Sequence, residues 1–257
     1  MGSSLQTTIR DLGRRRGRER RGLALAEGVR LVEEALAAGV EVRGAAVSPA
    51  LEATTRGSAL KSSLGASGVP LEEVSDAELT ELADTEHPQG VVAVVRPREW
   101  TLDDIVTAPR AAVLVLDAVQ DPGNVGTMLR TALGLGAAGV VALKGTAELT
   151  GPKVMRGSMG ALFRLPAVAT DTPAFLVWSR ARALELWVAE ADGEPLAAGR
   201  GSRGPVALVV GNEGAGVRPE LEAAANRRVA IRLAPGAESL NVAVAAGILL
   251  HEVTRER

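Results

Sequence analysis

The stretch "DPGNVGTMLRTALGLGAAGVVAL", Asp121 to Leu143, contains the spacing G-x-G-x-x-G at Gly134, Gly136 and Gly139. That spacing marks a dinucleotide site only where it follows a strand and opens a helix, so that a pyrophosphate meets the helix N-terminus. Here the glycines follow the helical pattern "TMLRTAL" and lead into the apolar strand "GVVAL". The context is inverted, and the glycines read as a helix end and a helix-to-strand turn. The residues just ahead of them, Asn124, Gly126 and Arg130, follow the strand "AAVLVLD". Ligands of open α/β sheets bind at such carboxyl ends of strands. Pro122 and Gly123 make the turn, Asn124 is the candidate N-cap, and Arg130 lies on the helix beyond.

Working outward, "AAVLVLD", "AGVVAL", "LWVAE", "GPVALVVG" and "RRVAIRL" read as strands, and "TPAFLVWSRARAL" and "LNVAVAAGILLHEVTRE" as helices. Strands alternating with helices call for an α/β fold with a mostly parallel sheet covered on both faces. The fourth of these strands is followed by "GNEGAGVRPE", Gly211 to Glu220, in which Glu213 is the first carboxylate. The fifth is followed by "APGAESLNVAVAAG", with Ser239 and Asn241 at the start of a helix of small residues. Three strand ends carrying polar, glycine-rich loops form a composite binding site.

Upstream, Val29, Val32 and Leu36 line one face of a helix stopped by Gly39, and a strand spans about Val40 to Val47. "SSLGASG", Ser62 to Gly68, reads as a loop, Ser75-x-x-Glu78 as a capping box, and "GVVAVVRP", Gly90 to Pro97, as a strand closed by proline. Residues 1–97 therefore form a smaller α/β domain, residues 98–109 a polar linker, and residues 110–257 a second domain.

Composition removes several chemistries. The 257 residues include no cysteine, which excludes disulfides, thiolate nucleophiles and cysteine-ligated metals. His87 and His251 stand far apart without metal-ligand spacing, so neither a metal site nor a Ser-His-Asp hydrolase is expected. No apolar run approaches the ~18 residues of a membrane span, and no secretory leader pattern opens the chain, so a cytoplasmic protein is expected. Net charge is −2, but "RDLGRRRGRERR", Arg10 to Arg21, holds seven arginines against Asp11 and Glu19. Arg14, Arg15, Arg16, Arg18, Arg20 and Arg21 are candidate contacts for an RNA backbone, with a solvated, frayed arm as the alternative. Aromatic residues are scarce, so base stacking is not the main binding mode.

"NVGTMLR", "VALVVGNEGAGV" and "IRLAPGAESLNVAVAAGILLHE" resemble, in order and spacing, the three motifs of the SpoU/TrmH family of RNA ribose 2'-O-methyltransferases. The resemblance covers about residues 110–257, and "VMRGSMGALFRLP", Val154 to Pro166, is similar to the family's connecting segment. The first 97 residues, with "RRGLALAEGVRLVEEAL", resemble the ribosomal-protein-like substrate-binding domain that many members carry. The resemblance implies a deep trefoil knot in the second domain, S-adenosylmethionine as cofactor, RNA as substrate, ribosomal RNA before transfer RNA, and a homodimer through the knotted domain. It places the cofactor at Gly211, Ile231 and Leu240, with neighbouring backbone from Val210 and Leu233.

The same resemblance puts Arg130 at the catalytic centre with Asn124, Glu213, Ser239 and Asn241. A guanidinium is a cation over the accessible pH range, which suits it to bind the target phosphate or to polarise the 2'-hydroxyl rather than to act as an ordinary base. Asn124 then orients Arg130 or the substrate, Glu213 holds the arginine or a hydroxyl, and Ser239 and Asn241 position the ribose. Two rivals belong to other classes: a non-catalytic RNA-binding protein that keeps the fold, and a nicotinamide oxidoreductase resting on the glycine spacing alone.

Overall fold

The computed structural model describes residues 4–196 and 204–255. The chain divides into two compact units, one built from residues up to 99 together with 150–164, the other from 100–149 together with 165 onward.

The first unit contains α1 (Leu5–Leu12), α2 (Arg15–Arg21), β1 (Ala24–Glu27), α3 (Val29–Ala37), β2 (Glu41–Val47), α4 (Pro49–Glu52), α5 (Thr55–Ala66), β3 (Leu71–Glu73), α6 (Asp76–Leu82) and β4 (Val91–Arg96). Its sheet runs β1-β4-β2-β3, antiparallel except for the β2–β3 pair. Ile9 and Leu12 of α1 and Leu79 and Leu82 of α6 bury against Leu25, Ala46, Val92 and Val94 of the sheet. The Ser75–Glu78 capping box forms as the sequence predicts. Ser62 to Ala66, expected as a loop, instead completes α5, because Thr54 caps its start and Leu60 and Leu64 are buried one turn apart. Packing of those two leucines outweighs the poor helix propensity of the Ser and Gly around them.

The arginine-rich stretch is ordered as α1, α2 and the turn between them rather than as a frayed arm. Arg18 is buried, and its Nη1 donates to the Leu12 and Gly13 carbonyls at 2.8 and 3.2 Å, satisfying acceptors that the end of α1 leaves open. That role withdraws Arg18 from the expected RNA contacts. Asp11 binds Arg20 and Arg21, and Glu19 binds Arg15. The Arg14 and Arg16 side chains are exposed and carry no hydrogen bond or ion pair among the described residues.

Residues 150–164 belong to this unit and not, as the sequence suggests, to the second domain. Their helix α8 (Pro152–Ser158) buries Val154 and Met155, and Arg156 donates to the buried Glu27 at 3.1 Å and to Asp84 at 2.6 Å. Glu27 also accepts the Asp84 and Thr85 backbone N–H groups, so its charge is compensated on several sides. Arg164 pairs with Glu34 at 2.7 Å.

The second unit contains β5 (Ala112–Leu116), α7 (Pro122–Gly134), β6 (Gly139–Leu143), β7 (Ala167–Thr170), α9 (Thr172–Ala181), β8 (Glu185–Pro195), β9 (Val206–Val210), α10 (Pro219–Ala223), β10 (Arg227–Ala230) and α11 (Val242–Thr254). Its six strands run β10-β8-β9-β5-β6-β7, every pairing parallel. The short edge strand β7 has no expectation in the sequence, since "AVAT" is too brief to carry a period. Strands β5, β6 and β9 are buried at every residue, as a sheet covered on both faces requires. Residues 98–109 are not a free linker: Ile105 is fully buried and Trp100 and Leu102 pack against the same core as Phe175, Trp178 and Leu221.

α7 ends at Gly134, Gly136 adopts φ +70°, and Gly139 opens β6. A Cβ at Gly139 would stand 2.8 Å from the Ile105 side chain and 3.0 Å from the Pro166 carbonyl oxygen. These glycines therefore serve a turn and a close approach, and the sheet order reverses between β5 and β9, on the other side of β5.

Candidate active site

Asp121, not Asn124, caps α7: its side chain accepts the Asn124 backbone N–H at 2.7 Å, and Pro122 fills the first helical position. Capping by Asp121 leaves the Asn124 side chain free for other partners. Asn241 caps α11, its Oδ1 accepting the Ala243 and Val244 N–H groups at 2.9 and 3.3 Å. With its oxygen so occupied, Asn241 presents its amide nitrogen, which donates to Asn124 Oδ1 at 3.0 Å. Asn124 must then turn its own Nδ2 outward, and that group donates to Glu213 Oε1 at 2.9 Å. One chain of hydrogen bonds thus joins the loops that follow β5, β9 and β10.

Glu213 sits on a loop that closes tightly, Asn212 and Gly216 exchanging two backbone hydrogen bonds of 3.0 Å. The Asn212 side chain accepts the Gly214 and Ala215 N–H groups and donates to the Ala118 carbonyl at 2.9 Å. At Gly211 the chain passes so close to the returning strand of the loop that a Cβ would stand 2.3 Å from Gly216 C.

Beside this network lies a cavity of about 700 Å3, within the range of small-molecule and cofactor sites. Val210, Gly211, Ile231, Leu233 and Leu240, the residues expected at the cofactor, all line it. Glu213, Ser239 and Asn241 line it as well, whereas Asn124 reaches it only through its two hydrogen bonds. Ser239 is exposed and has no hydrogen-bond partner among the described residues. Arg130 is brought to neither the cavity nor the network: it is exposed on α7 and unpaired among the described residues.

The sequence reading missed the contribution of β8, which supplies Ala189 and Glu190 to the wall from its middle. Burial pushes the Glu190 carboxyl above the usual range, against the opposing pull of Arg228, and its Oε1 has no hydrogen-bond partner among the described residues. It also missed Asp117, a fully buried carboxylate at the end of β5, paired with Arg218. The signal was present in the sequence, since Asp117 ends a run of six apolar residues where the strand would be expected to stay apolar.

On α11, Val244 and Ile248 are exposed four residues apart, and Leu240, just ahead of the helix, is exposed as well. Leu133 is exposed on α7, which packs beside α11 with Thr131 close to Gly247. Among the described residues no cluster of side chains could hold a metal ion, and no helix is long and apolar enough to cross a membrane.

Residues 111–251 match the SpoU rRNA Methylase family, and residues 7–93 match an MRM3-like substrate binding domain. An uncharacterized tRNA/rRNA methyltransferase of Synechocystis is 32% identical over 97% of this chain and 90% of its own length. A 23S rRNA (guanosine(2553)-2'-O)-methyltransferase of Bacillus subtilis is 37% identical over 72% of this chain and 73% of its own. Among solved structures, the SpoU methyltransferase AviRb from Streptomyces viridochromogenes, in complex with AdoMet, superposes with a TM-score of 0.86 at 31% identity, covering 100% of this chain and 98% of that one. The likeness runs the length of both chains, and the knotted α/β fold of those methyltransferases is the fold of this one. A parallel sheet carrying the three motifs at the ends of β5, β9 and β10, matched over most of its length, makes this chain a member of the SpoU rRNA methylase family.

Proposed function

We infer that this protein transfers a methyl group from S-adenosylmethionine to a ribose 2'-hydroxyl of RNA, with ribosomal RNA as the substrate class. The observation that carries the reading is the Asn124–Glu213 and Asn124–Asn241 network, which assembles the three family motifs at the edge of one cavity. The cavity suits the cofactor: apolar residues such as Val210, Ile231, Leu233 and Leu249 line it, and Gly211 stands in its wall. The unpartnered Glu190 oxygen offers an acceptor, and the carboxylates of Glu190, Glu213 and Glu238 favour a cation. Bound there, the cofactor supplies a methyl group on an electrophilic sulfonium.

Val210, Gly211, Ile231, Leu233 and Leu240 hold that group, largely through the backbone at the strand ends. Glu213, oriented by Asn124, accepts a hydrogen bond from a substrate hydroxyl or from Arg130. Asn241 keeps Asn124 in the required orientation, and Ser239 positions the ribose. Arg130 donates to the 2'-hydroxyl oxygen or to the adjoining phosphate, and alignment of these groups lowers the barrier to an in-line displacement.

Arg130 does not line the cavity of its own chain, and Val244 and Ile248 are exposed on the neighbouring helix α11. Both facts support a homodimer through α7 and α11, in which Arg130 reaches the cavity of a second copy. In the first unit, the unpaired Arg14 and Arg16, with Arg15, Arg20 and Arg21 beside them, form the RNA contact, leaving Arg18 to hold the helix corner. Incubation with labelled S-adenosylmethionine and ribosomal or transfer RNA tests the activity. Mapping of 2'-O-methyl positions in RNA from cells with and without the protein identifies the nucleotide; no change in either RNA pool would reject the reading.

A further inference from the structure

Asp117 stands at the end of β5, has no solvent exposure and does not itself line the cavity. Its backbone N–H donates to the Val210 carbonyl at 2.8 Å, the last residue before the Glu213 loop. Its carboxylate accepts the Arg218 backbone N–H at 2.7 Å, the first residue after that loop, and grips the Arg218 guanidinium through Nε and Nη2. One residue therefore holds both ends of a seven-residue segment, 211–217. The next residue, Ala118, adopts φ +55°, a left-handed conformation that alanine rarely takes, and offers its carbonyl to the Asn212 side chain inside the loop. A buried ion pair is a poor source of stability, because desolvation offsets its attraction, and its best attested use is to fix registry.

We propose that Asp117 is a positioning residue: through Arg218 and Val210 it fixes the height of the Glu213 loop, so that Glu213 meets Asn124 at hydrogen-bond distance. The proposal rests on the reading that Glu213 works in methyl transfer. A loop released at Arg218 keeps its internal closure between Asn212 and Gly216 but loses its reference to β5. Glu213 then shifts relative to Asn124, whose own place is set independently by α7 and Asn241.

The test uses the full chain carrying Asp117→Asn, which keeps an acceptor for the Arg218 N–H but removes the charge, and separately Arg218→Lys. Titration calorimetry with S-adenosylhomocysteine, single-turnover methyl transfer well below Tm, and the Asn124 side-chain amide signals in a 15N–1H spectrum are measured for each. Asp117→Asn is expected to leave cofactor affinity within about threefold, lower the single-turnover rate about 10- to 100-fold, and move the Asn124 amide signals. Arg218→Lys, which retains a cation but not the guanidinium fork, is expected to lower the rate less than Asp117→Asn does. A variant with lowered Tm but wild-type rate and unmoved Asn124 signals would overturn the proposal, as would wild-type behaviour in Arg218→Lys and Asp117→Asn together. The amide signals are read without RNA, so they test the positioning even if wild-type protein methylates no RNA, an outcome that would instead overturn the proposed function.

Discussion

The Asn124 amide nitrogen lies 2.9 Å from Glu213 Oε1, a contact between residues 89 positions apart in the chain. Because Asn241 engages the other end of the same amide, Asn124 has one orientation in which every partner is satisfied. Replacement by aspartate removes the donor and sets a second carboxylate against Glu213. Asn124→Asp is expected to lower kcat about 100-fold or more, and Asn124→Ala somewhat less, with cofactor affinity nearly unchanged. Steady-state kinetics paired with calorimetry separates the two effects; a change confined to KM would count against the assignment.

Arg130→Ala should abolish turnover while cofactor affinity stays within a few-fold, since the proposed partner of Arg130 is the RNA hydroxyl or phosphate and not the cofactor. If a second copy completes the site, Val244→Asp with Ile248→Asp converts the protein to a monomer and removes activity as fully as Arg130→Ala. Light scattering on a sizing column reads the mass. An active monomer would sink the shared-site arrangement.

Gly211→Ala places a methyl group 2.3 Å from Gly216 C, a backbone atom that cannot swing aside. Overpacking of this kind costs about 1–3 kcal/mol, and the loop at the cavity wall must absorb it. Cofactor affinity is expected to fall about tenfold or more, since each 1.4 kcal/mol is a factor of ten. Calorimetry showing wild-type affinity would mean that the loop does not form part of the cofactor site.

Arg14 and Arg16 are the cations of the arginine-rich stretch that no described residue neutralises. Replacing both with glutamine should reduce the slope of log K against log salt by about two, while Arg18→Gln should lower stability and leave that slope alone. Filter binding of ribosomal RNA fragments at several salt concentrations, with thermal melts, checks both halves.

Hydrogen bonds from Arg21 and Arg20 hold the Asp11 carboxyl below the usual carboxylate range. A group depressed on folding contributes stability above its unfolded value and loses that contribution as pH falls through the folded value. The Tm difference between wild type and Asp11→Asn should therefore be constant at neutral pH and shrink once pH drops below about 4, the unfolded carboxylate value. A difference that persists unchanged to pH 2 would mean that the charge of Asp11 is not what ties α1 to α2.

The sequence by itself determined the strand-helix alternation around the three motifs and the demotion of Gly134, Gly136 and Gly139, because both follow from local periodicity and from which element precedes which. It also placed the Asn124, Glu213 and Asn241 loops, since strand ends can be placed from apolar runs, whereas the five cavity residues came from the resemblance of its motifs to a known family. Short-range competition it resolved less well: Asp121 rather than Asn124 caps α7, and Ser62 to Ala66 are helical because Leu60 and Leu64 find a core. The tertiary structure alone decided that residues 150–164 join the first unit, through Arg156 and Arg164 ion pairs whose partners lie more than 70 positions earlier. It alone turned Arg18 inward, made Asp117 the fixed point of the Glu213 loop and left Arg130 outside its own cavity. Each of those outcomes depends on which charged groups meet across the fold, and a charge in a sequence shows its sign but not its partner.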